Sequence, residues 1–222
     1  MMAEEDLNAI TEASNLADPS RRICIVTTAS LPWMTGTAVN PLLRALYLTR
    51  GRPKDYVTLM IPWLEDAKSR TKLYGKGRKF ATSSDQEVWV RDFCRTRANC
   101  VKEETNLRIQ WYDSVYHEAF GSIFPSVDIC SLVPVDLADI AILEEPEHLN
   151  WFRVPKETED VTIAKDKKGS LLFMNKDDKK AAKLEKHQRV EDQLGWAHKF
   201  RHVVGILHTN YGAYMRDYNI GT

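Results

Sequence analysis

The run Asp139-Ile-Ala-Ile-Leu-Glu-Glu-Pro-Glu-His-Leu-Asn-Trp151 is apolar for the length of one buried strand and then stops in carboxylates, a proline and a histidine. Pro146 suits the first turn of a helix, where a missing N–H is not needed. The polar cluster therefore falls where a strand hands over to a helix, at the strand's carboxyl end. The arrangement recurs. Arg21-Arg-Ile-Cys-Ile-Val-Thr-Thr-Ala-Ser30 leads into Leu31-Pro-Trp-Met-Thr-Gly-Thr-Ala-Val-Asn-Pro41, and His202-Val-Val-Gly-Ile-Leu-His208 leads into Thr209-Asn-Tyr211. Strands that keep alternating with helices imply parallel neighbours, because parallel strands need a crossover and a helix supplies it. The expected fold class is α/β, a Rossmann-like, doubly wound parallel sheet whose ligands bind outside the carboxyl ends of the strands.

Along the chain, a strand at about 23–28 is followed by a helix on which Val39, Leu42, Leu43, Leu46 and Tyr47 recur at helical spacing. Asn40 and Pro41 suit the N-cap and first position of that helix. A second strand is expected at 56–61 and a second helix at 85–101, with Val90, Phe93 and Cys94 on one side. A short third strand follows at 107–111, and the fourth and fifth are the runs ending near Glu144 and His208. Residues 165–193 carry like charges in succession, and Ala181-Ala-Lys-Leu-Glu-Lys186 has the makings of an exposed helix. That stretch reads either as a mobile solvated insertion or as a contact surface.

A chain of 222 residues can bury one proper core. Its charges balance at +0, so no overall field argues for nucleic acid, and any electrostatic partner must meet a local patch. The four cysteines, Cys24, Cys94, Cys100 and Cys130, form no CxxC pair, and a reducing compartment is expected. Cys24, within an apolar strand, reads as a core thiol. No apolar run approaches the roughly 20 residues of a membrane span. Residues 1–20, acidic at Glu4, Glu5 and Asp6, resemble neither a secretory signal nor a transit peptide.

Chemistry is expected in four places. The loop Thr35-Gly-Thr-Ala-Val-Asn40 has a single glycine, so it is not a dinucleotide fingerprint, although N–H groups at a helix start suit an anion. An ordinary strand-to-helix turn is the other reading. Glu144, Glu145 and His148 stand at a strand end, where a carboxylate or imidazole can hold a hydroxyl or manage its proton. Alternatively, Glu145 caps the following helix or pairs with Arg153. His208 closes the fifth strand and is either a cleft residue or a satisfied structural one. Finally, six basic residues between Trp63 and Phe80 alternate with Trp63, Leu73, Tyr74 and Phe80, which suits an anionic lipid surface or a solvated loop. No metal site is expected: His198 and His202 are four apart, but His202 begins a strand, so they share no helical face.

The strings TTASLPWMTGTAVNPLLRALYL at 27–48, VTLMIPWL at 57–64, SIFP at 122–125, ADIAILEEPEHLNW at 138–151 and HVVGILHTNY at 202–211 resemble the digalactosyldiacylglycerol synthases, galactosyltransferases of plastid envelopes. The resemblance covers roughly 21–151 and again 196 to the end. It implies the N-terminal, acceptor-side domain of a GT-B glycosyltransferase over 21–222, following an acidic extension at 1–20. A lysine-rich insertion at about 155–193 replaces a short family connection, and the C-terminal domain that binds most of the donor is absent. It further implies transfer of galactose from UDP-galactose to monogalactosyldiacylglycerol, with retained anomeric configuration and neither cofactor nor metal. Gly36 and Thr37 would approach the donor, while Glu145, His148 and His208 would face the acceptor and reacting sugar. Trp63, Lys72, Lys76 and Arg78 would meet an anionic membrane, placing the protein peripherally on the plastid outer envelope beside its galactolipid acceptor. The family's Glu-x7-Glu pattern occurs here only at Glu4 and Glu12, a chance match. The rival expectation is a non-catalytic membrane-binding or assembly module derived from such an enzyme.

Overall fold

The computed structural model of the chain describes residues 15–150, 163–165, 171–173 and 195–207. Six strands form one sheet: β1 (Ile23–Val26), β2 (Val57–Leu64), β3 (Arg108–His117), β4 (Ser122–Pro125), β5 (Ile140–Glu144) and β8 (His202–Ile206). Their order is β4-β3-β2-β1-β5-β8. All neighbours are parallel except β3 and β4. This is the α/β, Rossmann-like architecture that the strand–helix alternation implied. Two further short strands, β6 (Ile163–Lys165) and β7 (Leu171–Phe173), pair antiparallel with each other. Most of the charge-dense stretch 165–193, including 181–186, lies outside the described residues.

The sheet is buried because its strands are apolar on both faces. In β1, Ile23 and Ile25 join one core with Leu42, Leu46, Leu59, Ile61, Val90 and Cys94. Cys24 and Val26 join the opposite core with Met60, Ala141, Leu143, Ile129, Trp196 and Phe200. The first core lies beneath the helices α1 (Gly36–Leu48), α3 (Ser83–Thr96) and α4 (Val101–Asn106). The second is closed by the 3-10 turn Cys130–Leu132 and by α5 (Pro146–Leu149) and α6 (Gly195–Lys199). Cys24 is a core thiol, as its place in the strand indicated.

Several boundaries depart from expectation for identifiable reasons. Helix α1 starts at Gly36 with Thr35 as N-cap, not at Pro41 with Asn40, so Pro41 stands inside the helix. Its missing N–H leaves no carbonyl orphaned, because the one it would have reached, that of Thr37, accepts the Thr27 hydroxyl. The helix expected at 85–101 is two helices, since Asn99 adopts a left-handed conformation (φ 52°) between α3 and α4. Thr82 and Asp85 form a reciprocal capping box at the start of α3. The basic segment is not an open loop. It holds α2 (Ala67–Tyr74), begun by Asp66, which accepts from the Ser69 N–H at 2.8 Å, and ended by Gly75 at φ 85°. Strand β2 runs on to Leu64, and β3 is ten residues long rather than short. Its far end, Ser114–His117, pairs with β4, a strand unforeseen from periodicity, across a turn in which Gly121 takes φ 61°.

Candidate functional site

Strand β1 is the pivot of the topology, with β2 and β3 on one side and β5 and β8 on the other. Crossovers leave β1 and β5 in opposite directions, which opens a crevice at their carboxyl ends. Val26 is in register with Leu143. Two residues further along each chain, Thr28 meets Glu145, and its hydroxyl donates to Glu145 Oε2. The crevice is thus bridged by side chains from its two walls.

Glu145 has a backbone conformation unusual for a residue with a side chain, φ 58° and ψ 60°. Its N–H donates to the Ile206 carbonyl at 2.9 Å, and its own carbonyl accepts from the His148 N–H at 2.9 Å. The surrounding hydrogen bonds therefore hold a shape that the residue alone disfavours. Glu145 occupies the N-cap position of α5, but its side chain makes no capping hydrogen bond. Arg153, the alternative partner, lies outside the described residues. Glu144 has a separate role: fully buried, it pairs with Arg44 of α1 and ties that helix to β5.

His148, on α5, brings Nδ1 to 3.7 Å from the same Glu145 Oε2. Its ring stands edge-on to Phe124 of β4, with centroids 5.4 Å apart. Phe124 also meets Phe120 and His117, so the β3–β4 hairpin supplies an aromatic wall beside the imidazole. Below the crevice, the Tyr112 hydroxyl donates to the Thr27 carbonyl at 2.6 Å. Burial, and after it the charge of Glu145, holds that phenol well above its ordinary range, so Tyr112 serves as a neutral donor.

The loop after β1 is moored from beneath. Ser30 Oγ donates to the Pro62 carbonyl at 3.1 Å and lies 3.2 Å from the Tyr74 hydroxyl. Gln86 Nε2 reaches both Ser30 Oγ at 3.1 Å and the Leu31 carbonyl at 2.6 Å. This network holds the first residues of the loop against β2, α2 and α3. Gly36 and Thr37 open that helix, whose first-turn N–H groups form the positive end of its dipole. A Cβ at Gly36 would meet nothing nearer than Asn40 Nδ2 at 3.6 Å, so the fold itself does not demand glycine there.

In the basic segment, Trp63 is half-buried, edge-on to Trp111 at 6.2 Å, with the Arg70 guanidinium 4.5 Å above its ring. Tyr74 is a core residue and not a surface aromatic. Lys72, Lys76 and Arg78 are exposed. Lys72 pairs with Glu118 at 2.6 Å, and Arg78 stands 5.4 Å over Trp89. No described helix is long and apolar enough to cross a membrane. Among the described residues no three His, Cys, Asp or Glu side chains gather as a metal site.

Gly36, Thr37, Glu145 and His148 therefore stand at the carboxyl edge of one sheet, and the segment bearing Lys72, Lys76 and Arg78 leaves that same edge after β2, the strand that holds Trp63. His208 lies outside the described residues. Sequence reading missed Thr28 and Phe124. The paired threonines directly after the apolar run were the available signal for the first, and the second had none, because β4 was not recognised as a strand.

No family model matches the chain. Similar proteins are nonetheless evident. The chain is 38% identical over 200 residues to digalactosyldiacylglycerol synthase 1, chloroplastic, of Glycine max, which covers 90% of this chain and 20% of that protein. It is 38% identical over 203 residues to the Lotus japonicus protein of the same name, covering 91% and 20%. It is 35% identical over 196 residues to digalactosyldiacylglycerol synthase 2, chloroplastic, of Arabidopsis thaliana, covering 88% and 32%. The chain spans a fifth to a third of the length of these relatives. Long matched stretches on an α/β sheet of this topology make the chain, over about nine-tenths of its residues, a homologue of part of the digalactosyldiacylglycerol synthases.

Proposed function

We propose that this chain forms the acceptor-side domain of a galactosyltransferase that moves galactose from UDP-galactose to monogalactosyldiacylglycerol, giving digalactosyldiacylglycerol. The carrying observation is the crevice between β1 and β5, bridged by Thr28 and Glu145 and flanked by His148. In the reaction the acceptor hydroxyl oxygen bonds to the anomeric carbon of galactose while the bond to UDP breaks, and the hydroxyl loses its proton. Glu145 accepts a hydrogen bond from that hydroxyl and orients it, and His148 shares the proton with the carboxylate. His208, two residues past β8 in the sequence, is assigned to the same group. Gly36 and Thr37 offer backbone N–H groups to the donor phosphates at the start of α1, while a second domain outside this chain binds most of the nucleotide.

Residues 21–222 act on this reading as one Rossmann-like unit carrying the lysine-rich insertion at about 155–193, after the acidic extension at 1–20. The exposed cations Lys72, Lys76 and Arg78, with Trp63 at the edge of the patch, hold the unit against an anionic membrane, peripherally on the plastid outer envelope. The relatives are called chloroplastic, which supports a plastid location.

The test is galactosyl transfer by the full-length protein carrying this chain, with Glu145→Gln against the parent. Loss of a proton-managing group is expected to lower turnover about 100-fold or more, with the melting temperature retained. Unchanged turnover in Glu145→Gln would remove the crevice from the reaction.

A further inference from the structure

We infer that Thr28 is the positioning residue of this site: its hydroxyl sets the direction of the Glu145 carboxylate across the crevice. The inference rests on the galactosyltransferase reading above and adds to it a residue that touches no substrate.

The backbone of Glu145 is fixed by β8 and α5, through the Ile206 carbonyl and the His148 N–H. Those bonds hold the Cα and do not themselves set the side-chain torsions. A glutamate has three such torsions, and a carboxylate that wanders through them loses the alignment on which rate depends. Thr28 removes that freedom. It is 4% exposed, it is β-branched and therefore stiff at χ1, and its neighbour Thr27 is held twice, by the Tyr112 hydroxyl on its carbonyl and by its own hydroxyl on the Thr37 carbonyl. The donor is thus built into the rigid end of β1, in the centre of the sheet, and donates to the oxygen that His148 also approaches at 3.7 Å. Two groups from different elements converge on Oε2, which fixes how the carboxylate is turned.

A structural role alone would not require a hydroxyl here. Valine has the shape of threonine and would fill the same space, so Thr28→Val removes the donor with little change in volume. Thr28→Ser keeps the donor and loses a methyl group. If Thr28 acts through Glu145, the two variants separate.

The experiment is a double-mutant cycle in the full-length protein, measuring kcat and KM for the galactolipid acceptor with UDP-galactose. Thr28→Val is expected to lower kcat about tenfold while KM moves less than twofold, a fold-change equivalent to about 1.4 kcal/mol in the barrier. Thr28→Ser is expected to stay within about threefold of the parent, since it restores the hydrogen bond. In a Glu145→Gln background, Thr28→Val is expected to add less than a twofold loss, because there is no carboxylate left to aim. A Thr28→Val effect that persists undiminished beside Glu145→Gln, or parental kcat in Thr28→Val, overturns the inference and leaves the role of Glu145 standing. Thr28→Ser falling as far as Thr28→Val also overturns it, by showing that the methyl group matters. Full turnover in Glu145→Gln alone overturns the underlying reading and the inference together.

Discussion

The hydroxyl of Thr27 donates to the backbone carbonyl of Thr37, the acceptor that Pro41, four residues later, has no N–H to satisfy. One buried side chain thereby closes the gap a proline opens in a helix. It also clamps the start of α1 to the end of β1 in the wall of the crevice.

Thr27→Val should leave that carbonyl without its donor in a fully buried site, at a cost of about 1–3 kcal/mol. In a Pro41→Ala background the same change should cost less, because replacing the proline by alanine returns a helical N–H to the Thr37 carbonyl. Urea unfolding midpoints of the parent, both single variants and the double variant read this non-additivity. Equal costs of Thr27→Val in the two backgrounds would dissociate Thr27 from the proline.

Glu145 keeps φ at 58°, which penalises any residue with a Cβ and suits glycine. Glu145→Gly should therefore be more stable than Glu145→Ala by about 1 kcal/mol, although both remove the carboxylate and should abolish turnover alike. Thermal unfolding of the two variants checks this. Alanine equal to glycine would mean that the backbone relaxes once the side chain is gone.

Burial pushes the Cys24 thiol up to about 12, against 9.0 for a free thiol. The unfolded chain thus releases this proton near pH 9 while the folded chain keeps it. The neutral buried thiol contributes its full stability below pH 9, and that contribution is lost as pH rises from about 9 to about 12. Cys24→Val should flatten this alkaline decline without steepening the curve at neutral pH, as read from denaturant midpoints across pH 7–11. In the folded protein at pH 8, Cys24, Cys94, Cys100 and Cys130, all buried, should resist a maleimide that labels them after denaturation.

The membrane surface should act through exposed charge. Each cation near an anionic bilayer contributes about 1 kcal/mol, so combining Lys72→Glu, Lys76→Glu and Arg78→Glu should weaken vesicle binding by about two orders of magnitude or more. Among single changes, Lys76→Glu should exceed Lys72→Glu, because Lys72 already meets Glu118 at 2.6 Å. Added salt should weaken the parent's binding as well. Co-sedimentation with vesicles containing phosphatidylglycerol tests all three expectations. Equal, salt-insensitive binding by parent and triple variant would remove this surface from the contact.

The sequence by itself determined the α/β class, the parallel strands and the apolar runs that became β1, β2 and β5, because a strand buried on both faces leaves a local, continuous signature. It also marked Glu145 and His148 as a polar cluster at a strand end. Local pattern failed where one side chain answers to another far along the chain. Pro41 is written as a helix start, yet Thr27 lets the helix begin five residues earlier. Glu144 and Glu145 are adjacent and chemically alike, and only the sheet separates them, turning one into the core against Arg44 and the other toward Thr28. Strand β4 has too few residues for a periodic signal and exists because the edge of β3 away from β2 offers it unpaired backbone. Thr28 and Glu145 are 117 residues apart in the chain, and the parallel register of β1 and β5 alone brings them together. Periodicity reports which face of an element is apolar. Which elements become neighbours, and hence which side chains share a crevice, is decided by tertiary structure.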